Sequence, residues 1–244
     1  MDSGIYAAFS GLLARTEALD SAASNLANAN THGFRAEREF FRNAIAGPDA
    51  LNSQLNRTVN NFGVLGGNQL DFGQGVLAPT GNPLDLAIEG QGFFALQTPN
   101  GVRYTRDGSF QRTNQGVLIA ATGEPVLDIN NKPIIVPSGE ISIGSDGVIS
   151  VGGATAGKLG VFTFDGPASM QPEGVNRYMP VGGAKPKLSS AGVHQGALES
   201  SNQDVIQGTM QLILVQRQSE MMQKALSIFH ADFDKTASED LPRV

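Results

Sequence analysis

The sequence predicts an α+β protein in which discontinuous N- and C-terminal helices, coiled-coil-like in their patterning, bracket a central antiparallel β domain inserted between them. Three observations predict it. Near the start, Ile5, Phe9, Leu12, Thr16, Leu19, Ala23 and Leu26 recur at alternating steps of four and three, the spacing of a coiled-coil seam. From Val76 the period changes to two, and from Leu198 the helical period returns. The expected segments are 1–47 helical, 48–75 connecting, 76–197 β, and 198–244 helix and tail.

The first helix is expected from Ser3 and should stop near Asn28 to Thr31, where propensity falls and Gly33 can take a left-handed conformation that closes a helix end. Asn25 and Asn28 lie three apart on one face, so a buried carboxamide there would fix register; a fraying helix end that tolerates Asn explains the spacing as well. Phe34 fits either a hydrophobic closure of the helix end or a contact with another subunit. Ala36 to Ile45 places Phe40, Phe41 and Ile45 at helical spacing before Gly47-Pro48, which predicts a short second helix. Asp49 to Gly75 is rich in Asn, Gly and Gln and reads as a long connection.

In the β region Leu84, Leu86 and Ile88 alternate with Asp85, Ala87 and Glu89, which puts Asp85 and Glu89 on the solvent face. Turn pairs at Asn100-Gly101, Asp107-Gly108, Gln115-Gly116, Thr122-Gly123, Asn130-Asn131 and Asp146-Gly147 separate short strands. The spacing predicts a meander, sandwich or irregular barrel filled by Phe93, Phe94, Tyr104, Phe110, Leu118, Ile135, Ile143, Phe162 and Phe164. The last helix should run from Leu198 to about Lys235, with Ile206, Met210, Ile213, Leu214, Met221, Ala225 and Ile228 on one apolar face.

Composition narrows the function classes. The 244 residues carry a net charge of −6 and no cysteine. The charge argues against nucleic acid and anionic membranes, and the missing cysteines remove disulfide and thiolate-metal chemistry. The start lacks the basic and apolar regions of a cleavable leader, and no apolar run is long enough to span a bilayer. Gly152-Gly-Ala-Thr-Ala-Gly157-Lys158 imitates a phosphate loop but continues into Leu159 and a strand pattern, not a helix. His32, His194 and His230 are scattered, so no zinc site is expected. Asp85, Glu89 and Asp107 are candidates for acid/base work, with turn and surface roles as the plainer reading.

The stretch Ser24-Asn-Leu-Ala-Asn-Ala-Asn-Thr-His-Gly-Phe-Arg35 resembles the N-terminal signature of the axial proteins of the bacterial flagellum, its rod and hook family. The resemblance continues at Gln74-Gly-Val-Leu, at Thr80 to Phe94, at Tyr104-Thr-Arg-Asp-Gly-Ser-Phe110 and at Leu198-Glu-Ser-Ser-Asn202. The opening Met1-Asp-Ser-Gly-Ile-Tyr6 is more similar to proximal than to distal rod members. The resemblance favours a register role for the two asparagines. It implies a structural subunit without catalysis or cofactor, assembling with its own copies and with other rod and hook proteins. It further implies export through the flagellar export apparatus to a periplasm-spanning rod, with no cleavable leader, no membrane insertion and no nucleic acid. The chain departs from the family near Ser219, where relatives carry an aromatic residue, and in its polar tail from Asp234 to Val244.

The expected site is therefore a set of subunit contacts. On the first segment these are Ile5, Phe9, Leu12, Leu19, Leu26, Asn25, Asn28, Gly33 and Phe34; on the last they are Ile206, Met210, Ile213, Met221 and Ile228. Two other classes remain open at this stage: a carbohydrate hydrolase acting on the cell wall, and a β binding module on a coiled-coil stalk. A cut after Arg35 is expected to leave the β body folded.

Overall fold

The computed structural model describes residues 2–42, 64–174 and 176–239. It contains helix α1 (Asp2–Ala27), strands β1 (Glu37–Arg42), β2 (Val64–Leu70), β3 (Leu77–Pro79), β4 (Leu86–Glu89), β5 (Phe93–Thr98), β6 (Gly101–Thr105), β7 (Phe110–Arg112) and β8 (Leu118–Ala120). There follow β9 (Ile141–Ile143), β10 (Val148–Val151), β11 (Ala154–Lys158), β12 (Val161–Thr163), β13 (Met170–Pro172), β14 (Arg177–Pro180), β15 (Lys187–Leu188), β16 (Gly192–Gln195), β17 (Ala197–Glu199) and helix α2 (Val205–Glu239). The chain divides into two compact units: a helical unit of residues 1–26, 38–68 and 205–244, and a β unit of residues 27–37 and 69–204.

In the β unit a six-stranded sheet runs in the order β13-β14-β6-β5-β12-β15, beside a three-stranded sheet β11-β10-β9 and several two-stranded ladders. Every ladder from β3 onwards is antiparallel. Strand β5 explains why there are two cores. Successive side chains on a strand point to opposite faces, so Phe94 and Leu96 join Leu86, Ile88, Phe110 and Leu118, while Phe93 and Ala95 join Tyr104, Phe162, Phe164 and Tyr178. These four β5 side chains are buried, and each large one contributes roughly 1.5–3 kcal/mol.

Several expectations need correction. Residues 37–42 form a strand, not a helix, because Val64–Leu70 supplies a ladder partner that local spacing cannot foresee. That partner also replaces the end of the expected connection, whose residues 43–63 lie outside the described ones. Asp85 is buried rather than solvent-facing: Thr80 Oγ1 and Asn82 Nδ2 donate to its carboxylate at 2.7 and 2.8 Å. Ile135 is 60% exposed and does not fill the interior. Gly152 and Gly153, both at positive φ, form the two-residue turn of the β10–β11 hairpin, which is the actual use of the phosphate-loop lookalike.

The last helix starts at Val205, not Leu198. Ala197–Glu199 pairs with Leu77–Pro79 instead, and the Asn202 side chain holds the following backbone by donating to the carbonyls of Asp71 and Gly73 while accepting from Ala36 N. Gly33 has φ +68, but α1 already ends at Ala27 and a turn closes through Thr31 N to Asn28 O. Gly33 therefore serves a different need, described below.

Candidate functional site

Two features of the molecule can carry function, and they lie in different units. The first is the surface of α1 and α2. Among the described side chains of α1 the buried ones are Gly11, Ala14, Ala18, Ser21, Ala22 and Asn25, a stripe of small side chains. Leu12, Leu19 and Leu26 sit beside that stripe and are half-buried, while Thr16 and Ala23 are exposed. The covered seam is thus displaced by about one position from the one read in the sequence. A Cβ on Gly11 would lie 3.3 Å from the Met222 methyl of α2.

Helix α2 likewise carries two stripes. Gly208, Val215 and Ser219 are buried, with Leu212, Met222 and Leu226 half-buried along the same line. These positions advance by four and three, a second seam that the larger apolar residues concealed. Ser219 belongs to this covered line, where a small residue fits its environment. The residues expected to meet other subunits stand elsewhere: Ile206 is 70% exposed, Met210 64%, Ile213 49%, Met221 62% and Ile228 60%. The side chains of Ile5 and Phe9 lie outside the described ones.

The second feature is a buried ion cluster in the β unit, and no pattern in the sequence pairs its members. Arg35, Arg106 and Glu199 are each no more than 2% exposed. Arg35 Nη2 stands 2.7 Å from Glu199 Oε1, and Arg106 Nε stands 3.4 Å from Glu199 Oε2. Both are ion pairs by distance whose N–H groups point past the oxygens, so neither forms an aligned hydrogen bond. Better-aligned bonds hold the surroundings: Gly75 N donates to Glu199 Oε1 at 2.8 Å, Arg106 Nη2 to Gly90 O at 2.6 Å, and Arg35 Nη1 to Gly73 O. Arg35 N donates to the Tyr178 hydroxyl at 2.9 Å, and the Arg106 guanidinium lies 5.7 Å from the centre of the Phe93 ring.

Burial sets the electrostatics. It pushes the Arg106 guanidinium down to about 10 although Glu199 pulls the other way. It raises the Tyr178 phenol far above its ordinary 10.0, more than the Arg35 backbone N–H lowers it. Breaking such a cluster by removing one partner costs about 3–5 kcal/mol, because the remaining charge is stranded. Gly33 serves this packing: a Cβ there would fall 2.2 Å from Asp107 N, so only glycine lets the segment of Phe34 and Arg35 approach. Phe34 is buried, and Gly33 N donates to Glu199 O at 2.8 Å. Gly33 and Phe34 are thereby occupied within their own chain. Asn28 is half-buried and accepts from Thr31 Oγ1 at 3.2 Å.

The remaining candidates sit apart. His194 Nε2 lies 2.6 Å from Glu89 Oε2 at the surface, and His32 is exposed. Asp107 is a turn residue, accepting from Ser109 N at 3.0 Å and from Asn176 Nδ2 at 2.9 Å. Arg103 pairs with Glu173 of the same chain, and Arg106 is inside.

The cluster gathers stretches that are widely separated along the chain: Gly33-Phe-Arg35, Gly73 to Gly75, Gly90, Arg106 and Glu199. This chain is 34% identical to the flagellar basal-body rod protein FlgF of Caulobacter vibrioides over 100% of both chains. It belongs to the flagellar basal-body rod protein family. A flagellar basal-body rod protein FlgF from Rhizobium meliloti is 35% identical over 89% of each chain. The FlgG rod protein of Bacillus subtilis is 31% identical, over 87% of this chain and 89% of its own. Residues 5–35 match the family described as flagella basal body rod protein, and residues 87–151 the flagellar hook protein FlgE/F/G D1 domain. The rod protein family is structural, and its members lend no support to a wall hydrolase. The first match ends at Arg35, and the second contains Gly90 and Arg106, so the family's sequence signal includes residues that build the cluster.

Proposed function

We propose that this chain polymerises through its terminal helices into the tubular rod of the flagellar basal body, which passes torque from the motor to the hook. The observation that carries the proposal is the pair of stripes on α2. One stripe is covered within the chain and the other exposes Ile206, Met210, Ile213, Met221 and Ile228.

The covered stripes support an antiparallel pairing of the two helices. Gly11 lies at Met222, and stepping along α1 to Ala14, Ala18 and Asn25 while stepping back along α2 meets Ser219, Val215 and Gly208, the buried residues of each helix. Such a coiled-coil pair, with the β unit inserted between its strands of sequence, turns the large apolar side chains outward. Leu12, Leu19 and Leu26 border the same outer surface and join them as subunit contacts. Asn25, on the covered line, is assigned to setting register within the pair; Ile5 and Phe9 extend the outer contact.

Magnitudes favour a lattice over a dimer. Full burial of a large apolar side chain is worth roughly 1.5–3 kcal/mol, and association costs about 4–15 kcal/mol. One face of five half-covered side chains barely offsets that cost, so each subunit needs several neighbours. Contacts between unlike surfaces propagate head to tail into helical assemblies. The partners are copies of this chain, other rod and hook proteins, and the export apparatus that delivers the chain. Identity to FlgF relatives, 34–35%, runs above that to FlgG relatives, 29–32%, which supports the proximal level of the rod.

The test is Met210→Asp with Ile213→Asp in the full chain. Unchanged thermal unfolding of the β unit with loss of assembly, by sedimentation and electron microscopy, is the expected result. Undiminished assembly would overturn the proposal, and a defined small oligomer of the wild type would replace the rod with a stalked module.

A further inference from the structure

We propose that the exposed thioethers of Met210 and Met221 on α2 are a modification site, where oxidation to sulfoxide by a peroxide keeps the free chain out of the assembly. The consequence rests on the outer stripe of α2 being the proposed subunit contact. Three of the six methionines of the chain, Met210, Met221 and Met222, belong to this one helix. Their surroundings differ. Met222 is half-buried on the covered line, with its methyl group at Gly11 of α1. Met221, its neighbour in sequence, is 62% exposed, and Met210 is 64% exposed. In the β unit Met170 is buried and Met179 half-buried.

Met210 and Met221 are eleven positions apart, close to three whole turns and roughly 16 Å along the axis, so both sulfurs stand on one line of the helix. A peroxide must reach the sulfur lone pair, so the exposed thioethers react ahead of the covered ones. Sulfur attacks one oxygen of hydrogen peroxide: the S–O bond forms, the O–O bond breaks, and sulfur gives up two electrons. The hydroxide that leaves takes the proton of the transferred oxygen and becomes water. A flexible apolar side chain is thereby made polar and chiral. The new oxygen accepts hydrogen bonds and donates none. Around Met210, at three and four positions along the helix, Ile206, Ile213 and Leu214 offer it no donor, so burial in a contact strands it. Met221 has Arg217, Gln218 and Lys224 at that spacing, so its oxidation weighs less.

The experiment treats the full chain with hydrogen peroxide before assembly and divides it between peptide mass spectrometry and sedimentation. One oxygen should be gained at Met210 and at Met221 ahead of Met222, Met179 and Met170. The protein concentration needed for assembly should rise about tenfold or more. Methionine sulfoxide reductases with dithiothreitol should reverse the effect. Met210→Leu, compared with its own untreated assembly, should lose most of the peroxide sensitivity, and Met221→Leu a smaller part. Oxidation of Met222 as fast as Met221, assembly of the oxidised chain at the untreated concentration, or full sensitivity in Met210→Leu would overturn the proposal. If Met210→Asp with Ile213→Asp blocks assembly while the oxidised wild type assembles, the modification site falls and the subunit contact stands. If both assemble freely, the contact itself is lost.

Discussion

Strand β5 and helix α2 both carry close-set large apolar residues, and they end in opposite surroundings. Phe93, Phe94 and Leu96 are at most 3% exposed, whereas Ile206, Met210, Leu214 and Met221 are 57–70% exposed. The strand sits inside a six-stranded sheet and has a core on each face. Among its described side chains the helix has one covered line, in which Gly208, Val215 and Ser219 are buried and Leu212, Met222 and Leu226 half-buried. Hydrophobic content alone therefore does not tell which part of a chain closes on itself; what matters is how many faces the rest of the chain can cover.

The largest expected effect comes from where the chain is cut. Removing residues 1–26 should leave the β unit cooperatively folded, since that unit begins at residue 27. Removing residues 1–35 should unfold it, because Phe34 and Arg35 leave the interior and Glu199 loses an ion partner. Circular dichroism melts of the two truncations decide the matter, and equal stability would erase the boundary drawn here. This revises the expectation that a cut after Arg35 is harmless.

Next in size is Glu199→Ala, expected to cost about 3–5 kcal/mol by urea denaturation, as for any buried pair stripped of one partner. Tyr178→Phe should cost about 1–3 kcal/mol at neutral pH, because Arg35 N–H loses its acceptor. Its pH dependence has a definite sign. The phenol's pKa is raised in the folded state, so its stabilising contribution is complete below about pH 10 and declines as the pH climbs beyond the unfolded value. Arg106, lowered to about 10, works in the opposite sense between there and 12.5. The deficit of Tyr178→Phe should accordingly shrink above pH 10, and a constant deficit would refute the assignment. The smallest effect belongs to Met210→Ser, whose side chain is 64% exposed: monomer stability should change by within about 0.5 kcal/mol. A larger loss would mean that the outer stripe of α2 is already covered.

The sequence made α1, most of α2 and the β character of the middle legible, because each rests on a period visible within a dozen residues. The short stretch 37–42 was misread because Phe40 and Phe41 suit a helix or a strand equally, and the deciding partner, β2, lies beyond residue 63. The covered line on α1 is hard to read because Gly, Ala and Ser are weak signals next to Leu, and the line on α2 mixes Gly208 and Ser219 with Leu212, Met222 and Leu226, so no single stripe of large residues marks it. The ion cluster was illegible for another reason: Arg35, Arg106 and Glu199 belong to separate stretches, and nothing local announces a meeting. The hint available was a charged residue beside apolar and glycine neighbours in each, as in Gly33-Phe34-Arg35 and Ala197-Leu198-Glu199.

The Ala36–Asn202 and Arg35–Glu199 contacts have a mechanical consequence. They tie the segment that enters the β unit to the segment that leaves it. A pull between residues 27 and 204 is carried across this shackle before it reaches any strand of the six-stranded sheet. The sheets thus ride outside the line of force.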